Sequence, residues 1–225
     1  MIQAILFDCD GIIADSEAIW NQIDAAHLAD FGVPDYDGRH KEHVIGKSFT
    51  LAGGFYKDLF KLEPPLEELI AHRTEVAAKF YAESVPVFEP VVEVLTDLKA
   101  QGLKLALATS SVSRLILPFL RRHDIEKYFD VIITGEMVKN GKPHPDIYLL
   151  AAEECGADAK NCIVVEDALS GLEAGRGAGA TTIAIPDPRW MDVALFEGQA
   201  DYIVADLRAM SSLVRSLLPE GASRA

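Results

Sequence analysis

The sequence predicts a doubly wound α/β fold: a Rossmann-like, mostly parallel sheet with helices on both faces, interrupted near its start by an all-helical insertion. Three observations predict it. From residue 86 onward, short apolar runs alternate with helix-length amphipathic segments, the pattern of successive βα units. Several of those runs, "LKLALATS" and "NCIVVED" among them, are apolar throughout rather than alternating, as strands covered on both sides must be. Between the first apolar run and residue 86, helical periodicity dominates and no strand signal of any strength occurs.

The first strand is "IQAILFD", residues 2–8, and it runs straight into Asp8, Cys9, Asp10 and Gly11. Next, "SEAIWNQIDAAHLADFG" sets Ala18, Ile19, Ile23, Ala26 and Leu28 near one helical face and stops at Gly32. "PPLEELIAHRTEVAAKFYAES" is a second long helix, opened by Pro64 and Pro65. The division that follows is a core of residues 1–14 and 86–225 and a helical domain of residues 15–85. In the core, "PVVEVLTDLKAQG" is a helix ended by Gly102, and residues 103–110 form a strand. "SRLILPFLRRHDI" is a helix in spite of Pro118, and 129–135 a strand. "HPDIYLLAAEECG" is a helix ended by Gly156, and 161–167 a strand. "ALSGLEAGRGAG" is a Gly-rich helix, "ATTIAIP" and "ADYIVAD" are strands, and "LRAMSSLVRSLL" is the closing helix. The tail "PEGASRA" is expected to fray.

Composition narrows the class. With 225 residues, 49% hydrophobic and 25% charged, the chain has material for a sizeable core in a soluble protein. No apolar run approaches the ~20 residues needed to span a bilayer. "MIQAILFDCD" lacks the basic region and cleavage site of a signal peptide. Cys9, Cys155 and Cys162 show no metal-like pairing, so reduced thiols and a cytoplasmic location are expected. The net charge of −14 argues against nucleic-acid or anionic-membrane partners. The expected partner is a small molecule, and the expected state a monomer or weak homodimer. An anionic substrate would need local positive charge to overcome that field.

In doubly wound sheets ligands bind beyond the carboxyl ends of the strands. Here those ends carry Asp8 and Asp10, then Thr109, Ser110 and Ser111, then Glu166 and Asp167, while the loop "NGKPHPD" adds Lys142. Acids are poor strand formers and costly to bury, so their position needs a reason. In extended chain, residues i and i+2 point to the same side; Asp8 and Asp10 should face one point, with Cys9 turned into packing. Gly11 allows a tight turn beside a ligand. Four acids meeting without a cation would repel strongly, whereas Mg2+ takes hard oxygen ligands and Lys142 adds further positive charge. The hydroxyls and amides of 109–111, at a helix start, suit phosphate oxygens.

These residues resemble a family. "FDCDGIIADSE", "LALATSS", "GKPHPDIY" and "IVVEDALSGLEAGRGAGA" are similar, in order and spacing, to the four motifs of the haloacid dehalogenase (HAD) superfamily. The helical insertion resembles the mobile cap of its phosphatase and β-phosphoglucomutase branch. The resemblance implies a soluble, Mg2+-dependent phosphatase of a small phosphorylated metabolite, such as a sugar phosphate. It implies that Asp8 is the nucleophile, forming an aspartyl-phosphate, and that Asp10 is the general acid and base. Thr109 and the Ser110 backbone would hold phosphate, and Lys142 would steady the nucleophile. Glu166 and Asp167, with Asp8 and the main-chain carbonyl of Asp10, would hold the metal. Phosphoryl transfer needs mainly positioning and charge neutralisation, and a carboxylate nucleophile divides one hard step into two.

Three other readings compete. A carbon–halogen dehalogenase has no use for Asp10, because halide leaves without a proton. A receiver-like signalling domain needs neither the Asp-x-Asp spacing nor a helical cap. A β-phosphoglucomutase shares the whole core and differs in the cap, where it has a histidine and an arginine in places that Trp20 and Phe49 occupy here. Lys47, beside Gly46 in "IGKSF", supplies an alternative positive charge, and Trp20, Gly46 and Lys47 are expected at the substrate. Phe49, Phe55, Tyr56 and His43 are candidates to line the pocket. Arg39, His40, Lys41 and His43 form a basic cluster suited to an acidic sugar phosphate.

Overall fold

The structure is a computed structural model, and it describes residues 1–40, 43–44 and 49–219. Its sheet has six strands: β1 (Ala4–Phe7), β2 (Lys104–Ala108), β3 (Val131–Ile133), β4 (Cys162–Glu166), β5 (Thr181–Ala184) and β6 (Tyr202–Ile203). They lie in the order β3-β2-β1-β4-β5-β6, and every neighbouring pair is parallel. The chain winds outward from β1 to β3, then returns to the other side of β1 to lay down β4. The order therefore reverses between β1 and β4, which is where open α/β sheets bind ligands. Phe7 stands level with Leu107 on one side and Val165 on the other, so the next residues, Asp8, Ala108 and Glu166, stand together at the carboxyl edge of the sheet.

Helices α4 (Val91–Ala100), α5 (Ser113–Arg122), α6 (Asp146–Glu154), α7 (Leu169–Gly177) and α8 (Leu207–Leu217) cover both faces. Ile5, Phe7, Leu105, Leu107, Ile163 and Val165 join Leu95, Leu98, Ile116, Phe119 and Met210 in one buried cluster. Their sequence neighbours Ala4, Leu6, Ala106, Ala108 and Val164 join Ile147, Tyr148, Ala151 and Ala174 in another. Alternate residues thus bury on opposite faces, which explains the unbroken apolar runs. The observed strands are shorter than those read from the sequence. Their final residues leave the ladder and enter the loops where the polar side chains gather.

Between β1 and α4 there are three helices, α1 (Glu17–Ala29), α2 (Phe49–Phe60) and α3 (Leu66–Glu83), and no strand among the described residues. Helix α2 was not singled out from the sequence, because Gly53 and Gly54 dilute its periodicity. Gly53 packs close to α3, where an added Cβ would lie 3.2 Å from Ile70. Leu28, Tyr36, Ala52, Tyr56, Leu62 and Leu69 form a separate buried cluster within these helices, and α3 packs on α5 as well as on α1 and α2. The two segments joining them to the sheet run side by side, with Asp15 N donating to Pro86 O at 3.0 Å and Phe88 N to Ile13 O at 3.1 Å. Residues 220–225 of the expected frayed tail lie outside the described residues. No described helix is long and apolar enough to cross a membrane. The three cysteines are free, and Cys9 is buried as expected.

Candidate active site

Asp8 follows the last residue of β1 and is almost wholly buried. Lys142, from the loop before α6, reaches it: Nζ donates to Asp8 Oδ1 at 2.6 Å, to Glu166 Oε1 at 2.7 Å and to Ala108 O at 3.1 Å. Burial works against the Lys142 charge, but Asp8 and Glu166 outweigh it and hold its pKa well above the ordinary lysine value. Burial pushes Asp8 up to about 7; Lys142 pulls it down, and Glu166 and Asp10 add to the rise. Asp167 is also driven well above the carboxylate range, by burial first and then by Glu166 and Asp8.

Glu166 ends β4 with donors on both carboxylate oxygens. Oε1 accepts from Lys142 and from Tyr148 OH at 2.6 Å, while Oε2 accepts from the amides of Asp167 and Ala168 at 3.1 and 3.3 Å. Gly171 permits the first turn of α7 to lie over it, since an added Cβ would fall 1.7 Å from Oε1. Gly11 does the same for Asp167: its φ is +79°, and an added Cβ would meet Asp167 Oδ2 at 1.9 Å. Asp8, Glu166 and Asp167 each place an oxygen within 4.8 Å of the others. Three buried carboxyls share one lysine, so without further positive charge Asp8 and Asp167 are driven toward their protonated forms, and the donors are all hard oxygens. That set fits a divalent cation.

The Asp10 carboxylate lines the same cavity as Asp8 but lies outside the acidic cluster of Asp8, Glu166 and Asp167. Three hydroxyls hold it instead. Ser16 Oγ donates to Oδ1 at 2.7 Å, Tyr81 OH donates to the same oxygen, and Ser111 Oγ donates to Oδ2 at 2.9 Å. Asp8 is the first residue past β1, and Asp10 makes an isolated bridge to Ala14 just beyond it. At the end of β2, Thr109 is buried and its Oγ1 accepts from the Ser111 amide at 3.0 Å. Ser110 is exposed at the rim.

A cavity of about 110 Å³ joins these groups. Asp8, Asp10, Lys142, Glu166 and Asp167 lie on one side with residues 109–111, and Trp20, Asp24, Phe49 and Arg73 lie on the other. The Trp20 ring stands 5.5 Å from that of Phe49 and 5.9 Å from that of Tyr81. Gly11 does not line this cavity; its place is under Asp167, and it borders a second pocket. Gly46 and Lys47 lie outside the described residues, as does Lys41. Phe55, Tyr56 and His43 do not line the cavity, being packed among the helices instead. The basic cluster does not face the site either: Arg39 pairs with Asp37 at 2.9 Å, and the His40 ring packs against Phe55. Sequence reasoning missed Ser16, Tyr81, Tyr148, Asp24 and Arg73. Tyr148 alone had a local signal, in "HPDIY" six residues after Lys142.

Comparison with known proteins places this geometry. The model of the haloacid dehalogenase-like hydrolase family matches residues 5–185. A phosphorylated carbohydrates phosphatase of Thermotoga maritima is 34% identical over 182 residues, covering 81% of this chain and 84% of that one. Hexitol phosphatase B of Escherichia coli K12 is 28% identical over 217 residues, covering 93% and 92%. The crystal structure of β-phosphoglucomutase from Clostridium difficile superposes with a TM-score of 0.79 over 96% of each chain, at 21% identity, and that likeness shows the fold alone. With three strand-end motifs and a fourth in the Lys142 loop, a matching fold and a family model spanning most of its length, this chain belongs to the haloacid dehalogenase-like hydrolase family.

Proposed function

We propose that the chain is a Mg2+-dependent phosphatase that hydrolyses a small phosphorylated metabolite, a sugar or sugar-alcohol phosphate, through an aspartyl-phosphate on Asp8. The observation that carries this reading is the buried Asp8 carboxylate held by Lys142 within hydrogen-bond distance, next to Glu166 and Asp167. The activities named for the two curated relatives support it.

Asp8 is fixed at one end by Lys142 and attacks phosphorus, displacing the ester oxygen. Asp10, which lines the same cavity, gives that oxygen a proton. It then takes a proton from water, which attacks the aspartyl-phosphate, releases inorganic phosphate and restores Asp8. Lys142 stabilises the charge that gathers on the transferring oxygens. Asp8, Glu166 and Asp167 would hold Mg2+, which when bound supplies charge neutralisation at the phosphoryl group. The hydroxyl and amides of residues 109–111 orient the phosphate. Residues 15–85 act as the cap that covers the site and excludes water during turnover.

The mutase alternative shares every step up to the phosphoenzyme. It needs a cationic hold on a second phosphate, and Arg73, the cation described on that wall beside Trp20 and Phe49, is already paired with Asp24. Phosphate release from a panel of sugar and sugar-alcohol phosphates with Mg2+, run beside an assay for glucose 6-phosphate formed from β-glucose 1-phosphate, tests the choice. Free phosphate in step with substrate loss supports the phosphatase; isomerised sugar phosphate with little free phosphate overturns it.

A further inference from the structure

The cavity wall opposite the acids contains a buried ion pair that the hydrolytic steps do not use. Arg73 Nε donates to Asp24 Oδ1 at 2.7 Å, and the two side chains are only 6% and 4% exposed. Asp24 Oδ2 accepts from Tyr56 OH at 2.7 Å, and that hydroxyl meets Tyr36 OH at 2.9 Å. The guanidinium carbon lies 4.6 Å from the Trp20 ring centroid and 5.0 Å from that of Phe49. A buried pair of this kind is weak evidence of stability, because apolar side chains of similar volume would close the same contact at less cost. Its place on the wall suggests another use. Only Nε of Arg73 is spent on Asp24, and each Asp24 oxygen has one donor among the described residues.

Resting on the phosphatase reading above, we propose that Asp24 and Arg73 form a hydroxyl-reading subsite, which selects a neutral polyhydroxylated monophosphate over one whose far end carries a carboxylate or a second phosphate. A hydroxyl both donates and accepts, so it can give its proton to Asp24 and receive one from the Arg73 Nη groups. The pair carries no net charge, so a second anion would have to share Arg73 with the Asp24 carboxylate at close range and would be repelled by it. Trp20 and Phe49 cover the carbon skeleton between the two ends. A site built to hydrogen-bond a hydroxyl discriminates strongly against analogues without it, because its own polar groups are left unpaired.

The test compares kcat/KM for phosphate release from three substrates: a six-carbon polyol monophosphate, a two-carbon acid monophosphate such as phosphoglycolate, and an aryl phosphate with no distal hydroxyls. The wild-type protein is expected to favour the polyol over the acid by about tenfold or more. Asp24→Asn, which leaves the Arg73 charge uncompensated, is expected to move that ratio about tenfold toward the acid. Should Asp24→Asn fail to fold, the apolar double variant Asp24→Leu/Arg73→Met removes the pair without leaving a lone buried charge. Its polyol-to-aryl ratio is expected to fall about tenfold. A wild-type preference for the acid, or ratios unmoved in the folded variants, overturns the proposal while leaving the phosphatase reading intact. Failure of the wild-type protein to release phosphate from any of the three with Mg2+ overturns both.

Discussion

Lys142 bonds two carboxylates and a main-chain carbonyl, so its ammonium has a defined place before any substrate arrives. Lys142→Ala removes the charge that faces both Asp8 and the transferring oxygens, and it is expected to lower kcat by a factor of about 100 or more in steady-state phosphate release, a loss of about 3 kcal/mol. The same residues predict how metal and pH interact. In the metal-free protein Asp8 titrates at about 7, above its ordinary value of 3.8. Its protonated form therefore favours folding: this contribution is fully present below about 4 and is lost as pH rises through 7. A bound divalent cation opposes the loss by favouring the ionised carboxylate. Thermal unfolding is expected to show a larger rise in Tm on adding Mg2+ at pH 8 than at pH 5, and an equal rise at both would contradict the assignment. The acids were legible in the sequence because they are neighbours in it and sit at the ends of apolar runs. Their partners were not. Ser16, Tyr81 and Ser111 reach Asp10 from three separate segments, and nothing local to Tyr81 announces a carboxylate 71 positions away.

At the scale of elements, α3 connects the insertion to the chemistry, since Tyr81 in its last turn donates to Asp10. Tyr81→Phe keeps the ring packed against Trp20 and Phe119 but removes the donor. Ser16 and Ser111 remain, so kcat is expected to drop about tenfold with KM little changed, the mark of a group that positions Asp10 rather than one that binds substrate. Helices α1 and α3 also meet at His27, whose Nδ1 lies 3.0 Å from that of His72. Burial, with Arg73 and His72 nearby, lowers the His27 pKa to about 4, against an opposing pull from Asp24 and Asp30. The folded protein holds this histidine neutral, so its contribution to stability is present above about 6.5 and is lost as pH falls toward 4. Urea midpoints measured from pH 7 to pH 4.5 are expected to fall more steeply for the wild-type chain than for His27→Gln. The helices bounding the insertion were readable from periodicity and from Pro64, Pro65 and Gly32. Helix α2 was not, because two glycines occupy its middle, and its packing on α3 decides its conformation. Helix α5 forms with Pro118 inside it, held by Ile116, Phe119 and Leu120 in the core.

Across the whole molecule, sheet order converts scattered sequence into one site. Residues 8, 109 and 166 are far apart along the chain, yet β1, β2 and β4 are adjacent and parallel, so their carboxyl ends open onto one cavity. This convergence could be foreseen, because alternating βα units leave few ways to wind a parallel sheet. The opposite wall could not: Asp24 and Arg73 sit 49 positions apart on different helices, and neither differs locally from a solvated surface charge. The net charge of −14 gives an anionic substrate no general attraction, which leaves recognition to Lys142, a bound cation and the donors around the cavity. In the proposed mechanism Asp8 carries the phosphoryl group between substrate and water. The most direct test of that role uses Asp10→Asn with an aryl phosphate, whose leaving group needs no proton, so that the first step proceeds and hydrolysis of the intermediate slows. Acid-quenched protein, digested and analysed by mass spectrometry, is predicted to carry a hydroxylamine-labile phosphoryl group on the peptide containing Asp8. Aryl phosphate consumed with no such adduct, or with the phosphoryl group on another residue, would contradict it.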